Sequence, residues 1–581
     1  MFKCAGSALR IPPVAWLSVR EFGLIAQRYR GVAISCILGM LLILAPSAKM
    51  SAQGSTGRIS GHVADSTGAA FPGVSITLTN TDTGGVRSTV STTSGDYTFA
   101  SVPIGSYVLK VEHQGFKTAT SANLQLQVAQ SMTQDFTLSV GSVEQSIKVT
   151  ASGDLLQTED SSLGTTIPDE TLAQMPVNNR NYLNLVAASA NTNVLSPLQG
   201  QAGAREGGAR ANETISVGGS RIMFDHYTFD GINNTDVDFN SFVVQPSIET
   251  IAEMKVQTGV YPAEYGYNAT QVNVVSKSGT NQYHGTLFYF VRNNYADARG
   301  YNYNYPTPFP KVLPYKYNDY GFELGGPVTI PKLFNGRDRF FFMVSDEWYS
   351  QVQYSQSSLT LPTSAQLGGD FSGYTAKGTT VVPIYDPSTG NPDGTGRTQF
   401  QCNGKLNVIC PARIDPISAK FNQLFYAAAQ TSGLSNNYTY LTQVRDTHDG
   451  FNVRGDFNQS QKLQWAFRFS NGLETNPTAG FTTPGGTVGS KIITNYYQYM
   501  GSNTWTLSPT VVNVARIGWT NFYNSLGLYS QGSNDAVTKL GIPNLQPGIP
   551  QTWGIPAVSF TGDIFSAGGD STDGPYVTVY I

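Results

Sequence analysis

From Phe451 to Ser470 the chain alternates between two chemistries with a period of two residues. Phe451, Val453 and Phe457 are interleaved with Asn452, Arg454 and Asp456. Beyond a turn at Asn458 to Lys462, Leu463, Trp465, Phe467 and Phe469 are interleaved with Gln464, Ala466, Arg468 and Ser470. Successive side chains of a strand point to opposite faces, so this hairpin has one face fit for hydrocarbon and one for water. That is the repeat of a transmembrane β-barrel, and a soluble sandwich rarely sets aromatic residues so densely on neighbouring strands. Composition agrees. Charged residues make up 13% of the 581, against about 25% in an ordinary soluble domain. The formal net charge of -3 gives no electrostatic reason to expect a nucleic-acid partner.

The N-terminus reads as an export signal over residues 1–52. Arg20, Arg28 and Arg30 precede an apolar run from Val32 to Ala45, followed by small residues around Ala48 and Ala52. A membrane span needs about 20 apolar residues, and Pro46 and Lys49 cut this run short. The order of basic flank, short apolar segment and small residues therefore favours a cleaved signal over an anchor. Cys4 and Cys36 leave with it. Cys402 and Cys410 remain, eight residues apart in the polar, turn-rich QCNGKLNVICPARIDP. In an exported protein such a pair reads as a disulfide, with two free thiols as the alternative.

Residues 53–151 are a run of short alternating strands. Val74, Ile76 and Leu78 alternate with Ser75, Thr77 and Thr79, and Tyr107, Leu109 and Val111 repeat the pattern, which predicts a small antiparallel sandwich. Its landmarks, Gly61, Asp65, Pro72-Gly73-Val74, Gly95-Asp96-Tyr97, Pro103, Gly105 and Gly115-Phe116, resemble those of a carboxypeptidase regulatory-like domain of prealbumin type with a carbohydrate-binding-like fold. The resemblance implies an accessory domain without peptidase chemistry. His62 and His113 lack the HxxE or HExxH spacing of a zinc site.

The stretch from Ser247 to Phe290, SIETIAEMKVQTGVYPAEYGYNATQVNVVSKSGTNQYHGTLFYF, begins with helix-like spacing and passes through Gly-punctuated β segments into an aromatic strand. Ile248, Ile251, Met254 and Val256, then Tyr265-Gly266, then Val272 to Lys277 resemble the end of the plug and the first barrel strand of TonB-dependent outer-membrane receptors. Ile215 to Arg221 with Phe229-Asp230-Gly231-Ile232 is similar to another plug motif pair, and Tyr320 to Tyr349 resembles the first hairpin of the Oar-like branch of the family. The resemblance implies a plug over residues 152–280 and a barrel over 281–581. It also implies a TonB box, for which Ile147, Lys148, Val149, Thr150 and Ala151 are the candidate; the alternative is the last sandwich strand.

The expected fold is mostly β: an N-terminal β-sandwich, an α+β plug, then the N-terminal part of an antiparallel transmembrane β-barrel. Residues 350–449, polar and rich in Pro and Gly, are expected as an extracellular loop. Arg454-Gly455-Asp456 spells an adhesion tripeptide but lies inside the alternating strand. Plugged barrels need about 22 strands, more than residues 281–581 can supply beside so long a loop, and PYVTVYI lacks a terminal aromatic residue. The chain therefore reads as truncated. The expected function is energised uptake across an outer membrane, with the N-terminal domain in the periplasm. A TonB-type coupling protein and outer-membrane lipid are the partners, and an iron chelate, an oligosaccharide or a peptide is the ligand. The alternative is a carbohydrate-binding or adhesion protein without transport. No Ser–His–Asp, paired-carboxylate or metal spacing supports an enzyme, and no cofactor is expected.

Overall fold

The computed structural model describes residues 55–141, 146–150, 163–175, 180–195, 214–217, 219–220, 224–236, 242–259, 270–298, 312–376, 380–484, 486–529, 535–542, 553 and 576–580. The export signal, Ala151, Tyr265-Gly266, Gly218 and Arg221 lie outside these residues.

Nine strands form the N-terminal unit: β1 (Gly57–Asp65), β2 (Ser75–Asn80), β3 (Val86–Val90), β4 (Asp96–Val102), β5 (Gly105–Glu112), β6 (Thr118–Leu126), β7 (Ser131–Thr133), β8 (Phe136–Leu138) and β9 (Ser146–Thr150). One sheet runs β4-β1-β7 with β8 also on β1, and the other runs β3-β2-β5-β6-β9. The period-2 pattern sets the inward faces: Val74, Ile76, Leu78, Leu109 and Val111 join Ile59, Tyr97, Phe99 and Phe136 in one core. His62 pairs with Asp96 at 3.0 Å, and His113 packs edge-on to Phe71.

The plug is built on a five-stranded sheet in the order β10-β15-β16-β13-β14. Its strands are β10 (Leu163–Pro168), β13 (Asp225–Phe229), β14 (Ile232–Asn233), β15 (Ile251–Gly259) and β16 (Thr270–Ser276); β11 (Thr192–Leu195) and β12 (Thr214–Val217) pair separately. The helix-like start of the Ser247 stretch shrinks to one 3-10 turn, Ile248–Thr250, capped by the Ser247 hydroxyl. Ile251, Met254 and Val256 belong to strand β15 instead. A register shift between Ile251 and Glu253 inserts one residue into the strand's alternation, so Ile251, Met254 and Val256 take a spacing that imitates a helix.

The barrel wall is one antiparallel sheet of eight strands in the order β17-β18-β21-β26-β27-β28-β29-β30. These are β17 (His284–Asn293), β18 (Tyr315–Pro327), β21 (Phe340–Leu359), β26 (Tyr438–Ser460), β27 (Leu463–Thr483), β28 (Gly486–Ser508), β29 (Val511–Leu528) and β30 (Tyr576–Tyr580). The pairs β19 (Thr329–Ile330) with β20 (Phe334–Asn335), β22 (Thr375–Ala376) with β23 (Thr380–Val381), and β24 (Gln401–Cys402) with β25 (Lys405–Leu406) decorate the connections. At one end, tight turns join Ser460 to Leu463 and Ser508 to Val511. Toward the other end the loop is shorter than its polarity suggests. Strands β21 and β26 stay paired out to Leu359 and Tyr438, so the connection is residues 360–437. A span needs only about 9–11 residues, and the polar extensions, which satisfy one another's backbone groups, continue beyond that length.

Val453, Phe469, Tyr499 and Trp519 stand opposite one another across four strands. Phe469 packs on Tyr499 at 4.9 Å and Tyr499 on Trp519 at 5.4 Å. This aromatic ladder is the cross-strand packing that fixes register in a sheet. The next row inward is Arg454, Arg468 and Met500.

Candidate functional site

The plug meets the wall through two buried ion clusters. The first begins in a tight turn. Phe229 pairs with Ile232, leaving Asp230 and Gly231 as a two-residue loop with φ of 51° and 74°. Both values lie in the left-handed region that such hairpin turns require and that Asp-Gly accepts at low cost. The turn carries the Asp230 carboxylate between two guanidinium groups of the barrel. Arg468 Nε stands 2.7 Å from Asp230 Oδ2, and Arg454 Nη1 stands 3.2 Å from Oδ1. Ser276 completes the cradle, its backbone N–H donating to Oδ1 at 2.9 Å and its hydroxyl to Oδ2 at 2.8 Å.

The barrel arranges its arginines in register. Arg454 on β26 lies directly opposite Arg468 on β27, a like-charge pair that is unfavourable unless an anion sits between them. Arg454 also holds Asp456 at 2.8 Å and donates to the Ser276 carbonyl at 2.9 Å. Arg468, which is fully buried, donates to Gln498 Oε1 at 2.6 Å and to Ser470 Oγ at 2.5 Å. Its guanidinium lies 3.8 Å from the centre of the Phe229 ring. Burial raises the Asp230 carboxyl, but Arg454, Arg468 and Ser276 outweigh it and hold the group below its ordinary range.

The second cluster centres on Arg180 of the plug. Arg180 pairs with Glu249 of the plug and, at 3.2 Å, with Asp319 of β18. Its guanidinium lies 4.0 Å from the Phe290 ring centre and 5.1 Å from that of Phe288. Glu347 of β21 stands within reach of the same charges, and the Tyr317 hydroxyl donates to Asp319 at 3.0 Å. Between the clusters Thr250 and Ser345 share a hydroxyl hydrogen bond of 2.7 Å. Tyr496 and Phe522 of the wall join the plug core.

Two plug carboxyls away from these clusters titrate unusually. Burial pushes Asp225 up to about 7 against a hydrogen bond from Thr270. It likewise pushes Glu253 up to about 7 against the Val128 N–H and Lys255. Folded values above the unfolded ones mean that the unfolded chain releases these protons first as pH rises, so their contribution to stability is full in acid and is lost by about pH 7. Protection of the plug sheet from hydrogen exchange, corrected for intrinsic rates, should therefore be weaker at pH 8 than at pH 5.5. Protection that rises over this range would contradict the assignment, and D225N with E253Q should flatten the dependence.

On the opposite side of the wall from the tight turns, Cys402 and Cys410 are bonded, with Cα atoms 5.2 Å apart, and close the β24–β25 hairpin. Asn407 within it is buried and binds Ile384 N and Val382 O. Arg413 beside Asp386 holds that carboxyl well below its usual range, with Ser388 adding to the effect. The five residues proposed for a TonB box divide: 146–150 form β9, parallel to β6 with Ile147 opposite Ala119 and Val149 opposite Ser121, while Ala151 lies outside the described residues.

Two families match the sequence. A carboxypeptidase regulatory-like domain matches residues 58–139, and an outer membrane beta barrel domain matches residues 275–579, just over half the chain. The chain belongs to the outer membrane beta-barrel family. Among individual proteins it is similar to the TonB-dependent transporter Oar of Myxococcus xanthus, at 23% identity over 216 residues, which are 37% of this chain and 20% of that protein. Among solved structures it is similar to the outer membrane transporter YddB of Escherichia coli (11% identity, TM-score 0.39, 63% of this chain and 39% of the other). It is also similar to the ferric enterobactin receptor PfeA of Pseudomonas aeruginosa (12% identity, TM-score 0.31, 62% and 41%). The chain thus spans a fifth of the curated relative and about two fifths of each of these structures. An outer-membrane β-barrel protein that also carries a carboxypeptidase regulatory-like domain accounts for both family matches.

Proposed function

We propose that this outer-membrane barrel protein is a TonB-dependent transporter, whose plug is moved by a periplasmic pull to admit a substrate bound outside. The observation that supports this reading is the docking of the plug. It is held to the wall by discrete ion clusters, Asp230 with Arg454 and Arg468, and Arg180 with Asp319. Ion pairs and hydrogen bonds exchange partners readily, and the apolar contact that would part with them is that of Tyr496 and Phe522 with the plug core.

In this reading the sandwich faces the periplasm, and Ile147 to Ala151 recruit the TonB-type partner. β9 is the edge strand of its sheet, and an edge strand is the element that a partner sheet can extend or take over through backbone hydrogen bonds. The loop closed by Cys402 and Cys410 is then extracellular and contributes to substrate capture. The substrate is an iron chelate, an oligosaccharide or a peptide, the ligand classes this architecture serves.

Deleting residues 147–151 should abolish energy-dependent accumulation and leave surface binding intact. The assay is uptake of labelled ferric enterobactin, maltooligosaccharide and peptide probes into cells, with and without a protonophore. Uptake that survives both the deletion and the protonophore would overturn the transport reading. Binding without accumulation in the intact protein would favour a surface-binding protein instead.

A further inference from the structure

The sandwich does not hang from the plug by its linker alone. Strand β15 carries Glu253 and Lys255 two residues apart, hence on one face, and that face meets the turn that follows β6. Glu253 Oε1 accepts from the Val128 backbone N–H at 2.9 Å, and Lys255 Nζ donates to the Ala129 carbonyl at 2.9 Å. The two side chains are 6% and 4% exposed, so both heads have given up water, and each holds a backbone group of the turn. Ala129 has φ of 49°, a left-handed backbone that a residue other than Gly holds only when its surroundings fix it. The turn is braced from within, because Gln130 Oε1 accepts from Gln127 N at 2.8 Å.

A second seam joins the sandwich to the tight-turn end of the wall. Asn281 N donates to Asp82 O at 2.9 Å, and the Asn281 side chain exchanges two hydrogen bonds with Asp338, at 2.6 and 2.8 Å. Arg516 reaches Ser55 at 2.8 Å. Sandwich, plug and wall together line a partly open cavity of about 680 Å³, whose lining includes Arg87, Glu253, Lys277, Asp230 and Arg454. Asp230 and Arg454 of the first ion cluster therefore line a cavity that the sandwich bounds on one side.

We propose that Glu253 and Lys255 form a two-point backbone latch that holds the sandwich against the tight-turn end of the barrel, beside the cavity lined by Asp230 and Arg454. The inference goes beyond the transport reading and stands without it. It gives the accessory domain a task other than ligand binding. It also places β9 in a mechanical line, since β9 pairs with β6 and β6 runs directly into the latch turn. Displacing β9 loads the latch.

Pulsed electron paramagnetic resonance on the purified full chain tests this, with spin labels on S75C in the sandwich and K462C in the β26–β27 turn, and Cys4 and Cys36 replaced by serine. Both labelled positions are exposed. The latched protein should give one narrow distance distribution, and E253A/K255A should lose it for a broad one. E253Q, whose amide oxygen still accepts from Val128, should keep the narrow distribution. A narrow distribution in E253A/K255A, or a broad one in the protein with Glu253 and Lys255 intact, would overturn the proposal. Hydrogen exchange through β2, β5 and β15 checks folding. Should β15 lose protection in the double variant, K255M keeps the aliphatic stem and removes one bond, and it must still broaden the distribution.

Discussion

Asp230→Ala should unseat the plug, at a cost of about 3–5 kcal/mol, the range for removing one partner of a buried ion pair. The loss is large because of what remains. Arg454 keeps Asp456, but Arg468 keeps only neutral partners, Ser470, Gln498 and the Phe229 carbonyl. Two guanidinium groups in direct register then face each other with nothing between them. D230N, which preserves shape and one acceptor while removing charge, should fall between wild type and D230A. R454M should cost less than D230A, because Asp230 retains Arg468. Hydrogen exchange in β13 and β16 across a urea series measures the cost, and a double-mutant cycle of D230N with R468M isolates the pair. A D230A cost within about 1 kcal/mol, the level of an exposed pair, would show that the cluster does not seat the plug. The pH response has a definite sign. The carboxyl is depressed in the folded protein, so its contribution is present above the unfolded carboxylate value near 4 and is lost as pH falls below it. This is opposite to the trend expected from Asp225 and Glu253.

Much of the architecture was legible because it rests on local periodicity. The alternation in Phe451 to Ser470 survives as strands β26 and β27, with the turn where consecutive polar residues, Asn458 to Lys462, break the pattern. The sandwich strands keep the inward faces that Val74, Ile76 and Leu78 imply. The plug was legible by resemblance more than by period, since β13 and β16 are buried on both faces and their alternating polar residues, His226 and Thr228 beside Gln271 and Asn273, meet one another rather than water. The ion clusters were half visible. Arg454 and Arg468 occur on the polar face of the hairpin, and Asp230 occurs in an Asp-Gly pair flanked by apolar residues, a strong turn signal. What was hidden is their meeting, which joins positions 224 and 238 residues apart; only the register of β26 on β27 sets the arginines opposite each other and so calls for an anion. Arg180 had no local signal, because its partners Glu249 and Asp319 come from a 3-10 turn and a barrel strand that no periodicity links. The tripeptide at Arg454 spends both its charges internally, on Asp230, Asp456 and Ser276, which leaves neither available for adhesion.

Arg180→Met should be comparably damaging, for the opposite electrostatic reason. Arg180 is the cation among Glu249, Asp319 and Glu347, and its loss leaves carboxylates from plug and wall facing one another in a buried site. The expected cost is again about 3–5 kcal/mol, and part of it should return in R180M/E249Q, which removes one of the stranded charges. Arg180→Lys should rescue incompletely, because an ammonium cannot present the planar fork that meets two carboxylates while lying over Phe290. The backbone supplies a control. Arg180 has φ of 51°, so a substitution to Gly relieves left-handed strain of roughly 1 kcal/mol while deleting the charge. If the residue were there for its backbone, R180G would be harmless. If it is there to bind the plug to β18, R180G should be nearly as damaging as R180M, and both should increase protease cleavage of the plug without altering hydrogen exchange in the sandwich core. A plug that stays protected in R180G would assign the seating to Asp230 alone.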